Sequence, residues 1–203
     1  MDASDVIQIL REAVPGAQIT EVPAIDMPSI TVDRMDIVAV CRALRDHSSL
    51  QFALLADLTA ADYFPVEPRF EIVYHLACLG EAYATGAAAP PRRLRMKVRL
   101  AGDAARIPSV VSIFPAAGWL EREVFDLFGV AFEGHPDLRR LLTPEDWTGH
   151  PLRKDYPVQI RKDTPAWSPV QLSVEEFAAN IRAERDRAAT ESQAAPPGPS
   201  RAD

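Results

Sequence analysis

Abundant thiols, membrane-length apolar runs and phosphate-cradling glycine loops are all missing from this 203-residue chain, and each absence removes a class of function. Cys41 and Cys78 are its two cysteines. Two thiols cannot supply the four thiolates that usually hold an iron–sulfur cluster. Both lie in apolar stretches, where a cysteine serves as a small core residue, and no disulfide is expected. The longest apolar stretch, residues 107–120, is interrupted by Pro108 and Pro115, so no membrane-spanning helix is predicted. The amino terminus has neither a basic region nor an apolar core that would mark the chain for export, which predicts a cytosolic protein. Nine glycines are present, but neither G-x-G-x-x-G nor G-x-x-x-x-G-K-[ST] occurs, so no familiar nucleotide loop is legible. The four histidines, at 47, 75, 135 and 150, form no H-E-x-x-H pair, and a metal held by His135, His150 and a carboxylate would need that third ligand from a position the sequence does not show. No G-x-S-x-G elbow is present for nucleophilic hydrolysis.

What is there reads as a folded chain. Hydrophobic residues are 47% and charged residues 25% of the total, near the globular average, which excludes a wholly disordered protein. The net charge of −7 is unevenly spread: residues 1–91 carry 5 basic and 13 acidic side chains, whereas residues 92–106 carry 6 basic and 1 acidic. Arg93, Arg95, Lys97 and Arg99 alternate with Leu94, Met96, Val98 and Leu100, which predicts a strand over 92–100 with one face in the core and one projecting cations. No aromatic is interleaved with these cations and the chain is acidic, so a nucleic-acid partner is not indicated. A solvated or acid-matched strand face is the reading.

Helical spacing of Val6, Ile7, Leu10 and Val14 predicts an opening helix capped by Ser4 or Asp5 and ended by Pro15 and Gly16. Strands are predicted over 18–22 and 29–33, paired with each other, and a second helix from Met35 behind an Asp33 cap. Further strands are expected over 52–58 and 69–79, with a small-residue loop at 85–91. Without repeated strand-helix-strand units, this order favours an α+β fold: a two-layer domain with helices packed on a mixed sheet of about five strands. A capping-box pattern at Ser173 opens a predicted C-terminal helix running to about Ala189. The polar stretch 192–203 lacks apolar periodicity and is expected to be disordered.

Unusual residues are densest between Trp119 and Pro157. Residues 116–128 read as a helix with Leu120, Val124, Leu127 and Phe128 inward and Glu121, Arg122, Glu123 and Asp126 outward, closed by Gly129. Arg122 and Asp126 stand one turn apart and can pair. The phrase Gly134-His-Pro-Asp-Leu-Arg139 is echoed by Gly149-His-Pro-Leu-Arg153, then Lys154, Asp155, Tyr156 and Pro157. Each Gly-His-Pro should form a turn. Pro-braced backbone carrying arginine forks and aromatics also has the composition that protein interfaces favour. The chain therefore divides into an α+β domain (1–133), an extended Pro-rich docking segment (134–163), and a C-terminal helix with a disordered tail (164–203).

These same residues carry a resemblance. Glu121-Arg122-Glu123, Asp126 with Leu127 and Phe128, His135, Arg139 and Leu141-Leu142 are similar to the signature of the 30 kDa-type subunit, lettered C, of the proton-translocating NADH–quinone oxidoreductase, respiratory complex I. The run from Gly149 to Pro157 also resembles that family, as do Asp57-Leu-Thr59, Tyr63 and the stretch from Arg69 to Leu76, so the likeness covers roughly residues 30–157. It implies a subunit of the peripheral arm, attached to the cytoplasmic side of the bacterial inner membrane through the complex. The subunit would bind no cofactor of its own. The complex would carry FMN, iron–sulfur clusters and quinone, and move electrons from NADH to quinone while translocating protons. The implied partners are a D-like quinone-site subunit and B-like and I-like iron–sulfur subunits. The candidate interface residues are Glu121, Arg122, Asp126, His135, Arg139, Arg140, His150, Arg153, Lys154 and Asp155. The alternatives are the equivalent subunit of a membrane-bound hydrogenase or other-donor dehydrogenase, and a stand-alone hydrolase or metalloprotein built on His135 and His150.

Overall fold

A computed structural model describes residues 2–80 and 91–157, with Ser173 and Ala179. The chain divides into a unit Met1–Pro157 and a unit Val158–Asp203. The expected loop at 85–91, apart from Pro91, the C-terminal helix, apart from Ala179, and the tail lie outside the described residues.

The first helix, α1 (Ala3–Ala13), buries Val6, Ile7 and Leu10, as the spacing requires. Its cap is Asp2, earlier than the sequence suggested: the Asp2 carboxylate accepts from the Asp5 N–H and the Asp5 carboxylate accepts from the Asp2 N–H. This reciprocal pair satisfies two donors that the first turn leaves open. Ser4 is instead inside the helix, its hydroxyl on Glu21. The strands β1 (Ile19–Glu21) and β2 (Ser29–Val32) pair antiparallel. Then α2 (Ile37–Asp46) buries Ile37, Val40, Cys41 and Leu44 behind Asp36. Asp33, the expected cap, accepts from the Met35 N–H in the preceding turn.

The long strands are β3 (Leu54–Asp62), β4 (Phe70–Cys78) and β5 (Arg92–Leu100). The sheet order is β1-β2-β5-β4-β3, with β2 and β5 parallel and the other pairs antiparallel. The mixed five-stranded sheet is the one expected. β3 begins later and ends four residues further on than its apolar pattern indicates. Phe52 belongs to the turn after α2, its N–H bonded to the Leu44 carbonyl, while the ladder with β4 carries on to Asp62 opposite Phe70. Pairing there overrides the low strand preference of Ala60 and Ala61. Two short strands, β6 (Arg106–Pro108) and β7 (Ala131–Glu133), form a separate parallel pair. They frame α3 (Ala117–Phe128).

A single apolar cluster joins the inward residues of the three helices to one sheet face. The other face carries the cations of β5, and Arg95, Lys97 and Arg99 are matched. Arg95 spans Asp26 (2.5 and 3.0 Å) and the His75 ring (3.1 Å), while Lys97 and Arg99 both reach Glu71, at 2.9 and 3.3 Å. Cross-strand register makes these pairs, because Glu71 lies opposite Arg99 and His75 opposite Arg95. The basic stripe is an acid-matched strand face.

Candidate docking interface

Helix α3 ends at Gly129, whose φ of 74° gives the left-handed turn that stops it. A helix leaves its last carbonyls without partners inside the helix. Here a segment more than 20 residues downstream supplies them. His150 donates from Nδ1 to the Asp126 carbonyl (2.9 Å), the Leu152 N–H to the Leu127 carbonyl (3.0 Å), and Arg153 Nε to the Phe128 carbonyl (2.6 Å). Arg153 also donates from Nη2 to the Asp103 carbonyl at 2.9 Å. A cation placed at this negative helix end is favourable. Burial, joined by the nearby Arg153 and Arg140, holds the His150 ring below its usual pKa although the Asp126 carbonyl partly offsets this.

The sequence pattern set Glu121 and Asp126 on the outer face of α3; both are fully buried. Asp126 is the keystone of the segment. One carboxylate oxygen accepts from the N–H groups of Leu141, Leu142 and Thr143 (2.7–2.9 Å), the other from Arg140 Nη1 (2.9 Å) and the Thr143 hydroxyl. Burial raises the Asp126 carboxyl pKa, yet these donors more than offset it and hold the group below the ordinary carboxylate range. Arg140 continues to the Gly149 carbonyl at 3.1 Å. Arg122 does not pair with Asp126: it donates to the carbonyls of Arg139 and Arg140 (3.1 and 3.0 Å) and lies against the Trp119 ring. Glu121 points into the core, accepting from the Ser109 hydroxyl (2.6 Å) and the Val110 N–H (2.8 Å). Burial pushes its pKa up to about 7 despite those two donors.

A second anchor lies around Arg69, which is 1% exposed. Its guanidinium forks onto Asp62 (3.0 and 2.9 Å), reaches Asp155 (2.6 and 3.2 Å) and meets Asp103. The N–H of Lys154 donates to Asp62 at 2.9 Å, whereas its ammonium projects outward. The Arg69 guanidinium also lies 4.9 Å from the centres of the Phe64 and Phe70 rings, and Arg153 stands 5.4 Å from Phe70. Burial raises the Asp62 carboxyl pKa, but Arg69 and the N–H groups of Lys154 and Phe64 more than offset this and hold it at about 2.

The ten candidate residues therefore sort by place. Arg122, Asp126, Arg140, His150 and Arg153 converge on the C-terminal half of α3, Lys154 and Asp155 join the Arg69 anchor, and Glu121 lies in the core on Ser109 and Val110. His135 stands apart near the N-terminal turn, donating from Nε2 to the Gly118 carbonyl (3.0 Å) while Nδ1 accepts from the Asp137 N–H. Arg139 pairs with Asp137 at 2.7 Å on the surface. Both Gly-His-Pro phrases are turns, with Gly134 and Gly149 at φ 83° and 81°. Their two histidines each face a main-chain carbonyl, and among the described residues no group of three or more His, Cys, Asp or Glu side chains could hold a metal. Sequence reasoning missed Asp62, Arg69, Asp103 and Thr143, whose roles depend on strands and loops meeting. Only the glycine at 129 carried a local signal.

Asp126, Arg140, His150 and Arg153 are thus turned onto the fold, while several apolar side chains face outward. Trp119 (63% exposed), Leu142 (62%) and Leu152 (50%) face away from the fold, with Trp147 partly so. Large exposed side chains held on rigid backbone are what a protein interface presents.

A sequence model of the family described as the 30 Kd subunit of respiratory-chain NADH dehydrogenase matches residues 30–162. The chain is 42% identical over 174 residues to the C-lettered subunit of the NADH-quinone oxidoreductase of Methylobacterium sp. (strain 4-46), covering 82% of this chain and 76% of that one. It is 42% identical over 160 residues to the subunit of the same name from Saccharopolyspora erythraea, covering 77% and 60%. Among solved structures, a chain of the membrane-bound sulfane sulfur reductase, an archaeal respiratory membrane complex, superposes with a TM-score of 0.60 at 28% identity, covering 76% of this chain and 85% of that one.

Proposed function

The chain belongs to the family of the 30 Kd subunit of respiratory-chain NADH dehydrogenase, and from that premise we propose that it is an architectural subunit of an NADH–quinone oxidoreductase, with no redox centre of its own. The observation that carries the reading is the inside-out segment 134–157. Its arginines, histidines and carboxylates are largely used on the chain's own domain, so the backbone is fixed before any partner arrives. Preorganisation of this kind lowers the ordering cost of association. Trp119, Leu142, Trp147 and Leu152 then meet the neighbouring subunit. In this proposal the neighbour is the D-like quinone-site subunit, with B-like and I-like iron–sulfur subunits beside it. FMN, the clusters and quinone belong to those other chains.

Within the proposal, Asp126, Arg140, His150 and Arg153 are positioning residues of the interface, while Arg139 and the Lys154 ammonium face outward and can meet the partner directly. Among the described residues no helix is long and apolar enough to cross a membrane. Attachment at the cytoplasmic side of the inner membrane would therefore run through the partners. The likeness to a chain of a sulfane sulfur reductase supports a second reading, the same architectural role in a complex with another electron donor.

The test replaces Leu142 and Leu152 together by aspartate in the assembled complex. Loss of co-purification with unchanged melting of the isolated subunit supports docking through this face. Full retention in the complex rules the face out.

A further inference from the structure

Where β5 runs out and the chain turns back toward β6, the fold holds a cleft of about 440 Å³, lined by Asp33, Arg34, Arg99, Leu100, the alanines at 101, 104 and 105, and Arg106. Counted with Glu71, which Arg99 shares with Lys97, four cations stand against the two carboxylates Asp33 and Glu71, an excess of +2 in a chain whose net charge is −7. Topology brings them together. Parallel pairing of β2 with β5 sets Asp33 and Arg34 beside Arg99, and the turn after β5 returns Arg106 at the start of β6. Two of the guanidinia are held while keeping N–H groups free. Arg34 spends Nη1 on the Arg106 carbonyl (3.3 Å), and Arg99 spends Nε on Glu71 (3.3 Å), with neither of its Nη groups bonded among the described residues. The Asp33 carboxylate is occupied by the Met35 N–H at 2.8 Å.

Elsewhere on this sheet face Arg95 is matched by the Asp26 carboxylate, whereas Lys97 and Arg99 share Glu71. Here Arg34, Arg99 and Arg106 are gathered around a floor of small side chains, an excess of cation that an anion would offset. Guanidinium forks fit the oxygens of a phosphate, and a net charge of +2 matches a phosphate dianion. No aromatic lines the cleft, so no base would stack beside it. We propose that this cleft binds a phosphomonoester-type dianion, held by Arg34, Arg99 and Arg106 over the alanine floor. This assignment is independent of the docking reading.

The experiment is isothermal titration of the full chain with inorganic phosphate and with glycerol 3-phosphate, each against sodium chloride of equal ionic strength. Alongside it runs sedimentation with vesicles of phosphatidic acid in phosphatidylcholine. The double variant Arg34→Gln, Arg106→Gln is compared at equal melting temperature, and Arg106→Gln alone serves if the double variant melts lower. Saturable phosphate binding that weakens at least tenfold in the variant is the expected result. Binding to the vesicles as well assigns the phosphate to a lipid headgroup, and binding only to the soluble compounds assigns it to a free phosphomonoester. No heat above the chloride control overturns the proposal, as does equal binding by the variant. A tetraglutamate peptide that binds tighter than phosphate would also overturn it, by assigning the cleft to an acidic protein segment.

Discussion

Arg153 donates through Nε to the carbonyl of Phe128 across 2.6 Å, so that a residue 25 positions downstream finishes helix α3. The same guanidinium serves the Asp103 carbonyl from Nη2, which ties the helix end to the turn after β5. Hydrogen bonds from a charged donor contribute roughly 1.5 to 3 kcal/mol, so Arg153→Ala should destabilise the isolated subunit by about that amount. Arg153→Lys should recover little, because a single ammonium cannot copy a planar fork that meets two carbonyls. Thermal unfolding of the three proteins decides it; an unchanged melting temperature for the alanine variant contradicts the capping role.

Gly129 should tolerate no side chain. A Cβ there would stand 2.5 Å from Arg153 Nη2 and from the His150 ring, in addition to the strain of φ 74°. Gly129→Ala is expected to cost about 1 to 3 kcal/mol, combining that backbone strain with displacement of the capping residues. Limited trypsin digestion reads the local effect: cleavage after Arg153 should accelerate more than global unfolding explains. Equal cleavage rates would show that the segment stays seated without its cap.

Acid should loosen the Arg69 anchor. The Asp62 carboxyl titrates at about 2 in the fold, against about 3.9 in an unfolded chain. Between those values the unfolded chain binds more protons, so stability is present above about pH 4 and is lost as the pH falls toward 2. The Asp62 share is about 2.5 kcal/mol, since each pKa unit is worth roughly 1.4 kcal/mol. Asp126 adds a contribution of the same sign. Urea unfolding between pH 2 and 5 should show a shallower slope in Asp62→Asn, together with lower stability at pH 7 because Arg69 then faces a neutral amide.

Glu121 acts in the opposite direction. Its carboxyl is raised to about 7 from 4.5 by burial beside Ser109 and Val110. The fold therefore holds a proton that the unfolded chain has lost, and stability declines as the pH rises from about 4.5 through 7. Glu121→Gln keeps an acceptor for the Val110 N–H and cannot ionise. Relative to the parent it should gain up to about 3 kcal/mol by pH 8, an upper figure set by about 2.5 pKa units. Parallel stability curves for the two proteins from pH 5 to 8 would contradict this.

Alternation and spacing by themselves determined the layers. Strict alternation in residues 92–100 named β5 to the residue, and the apolar stripes of α1, α2 and α3 named three helices, because period 2 and period 3.6 are local properties of a chain that must bury one face. The mixed sheet followed from the order of those elements, and the family from the residues between Glu121 and Pro157. Only the tertiary structure decided what the polar residues of that stretch do. Asp126 and Glu121 read as surface residues because aspartate and glutamate are ordinarily solvated. They are buried because donors arrive from segments far along the chain: Arg140 and the N–H groups of 141–143 for one, Ser109 and Val110 for the other. Arg69 and Asp62, and the arginines gathered around Asp33, are likewise products of strand register and loop return. Hydropathy reports whether a side chain prefers water. Whether a buried charge finds its partners depends on contacts 7 to 92 residues apart, which no local pattern contains.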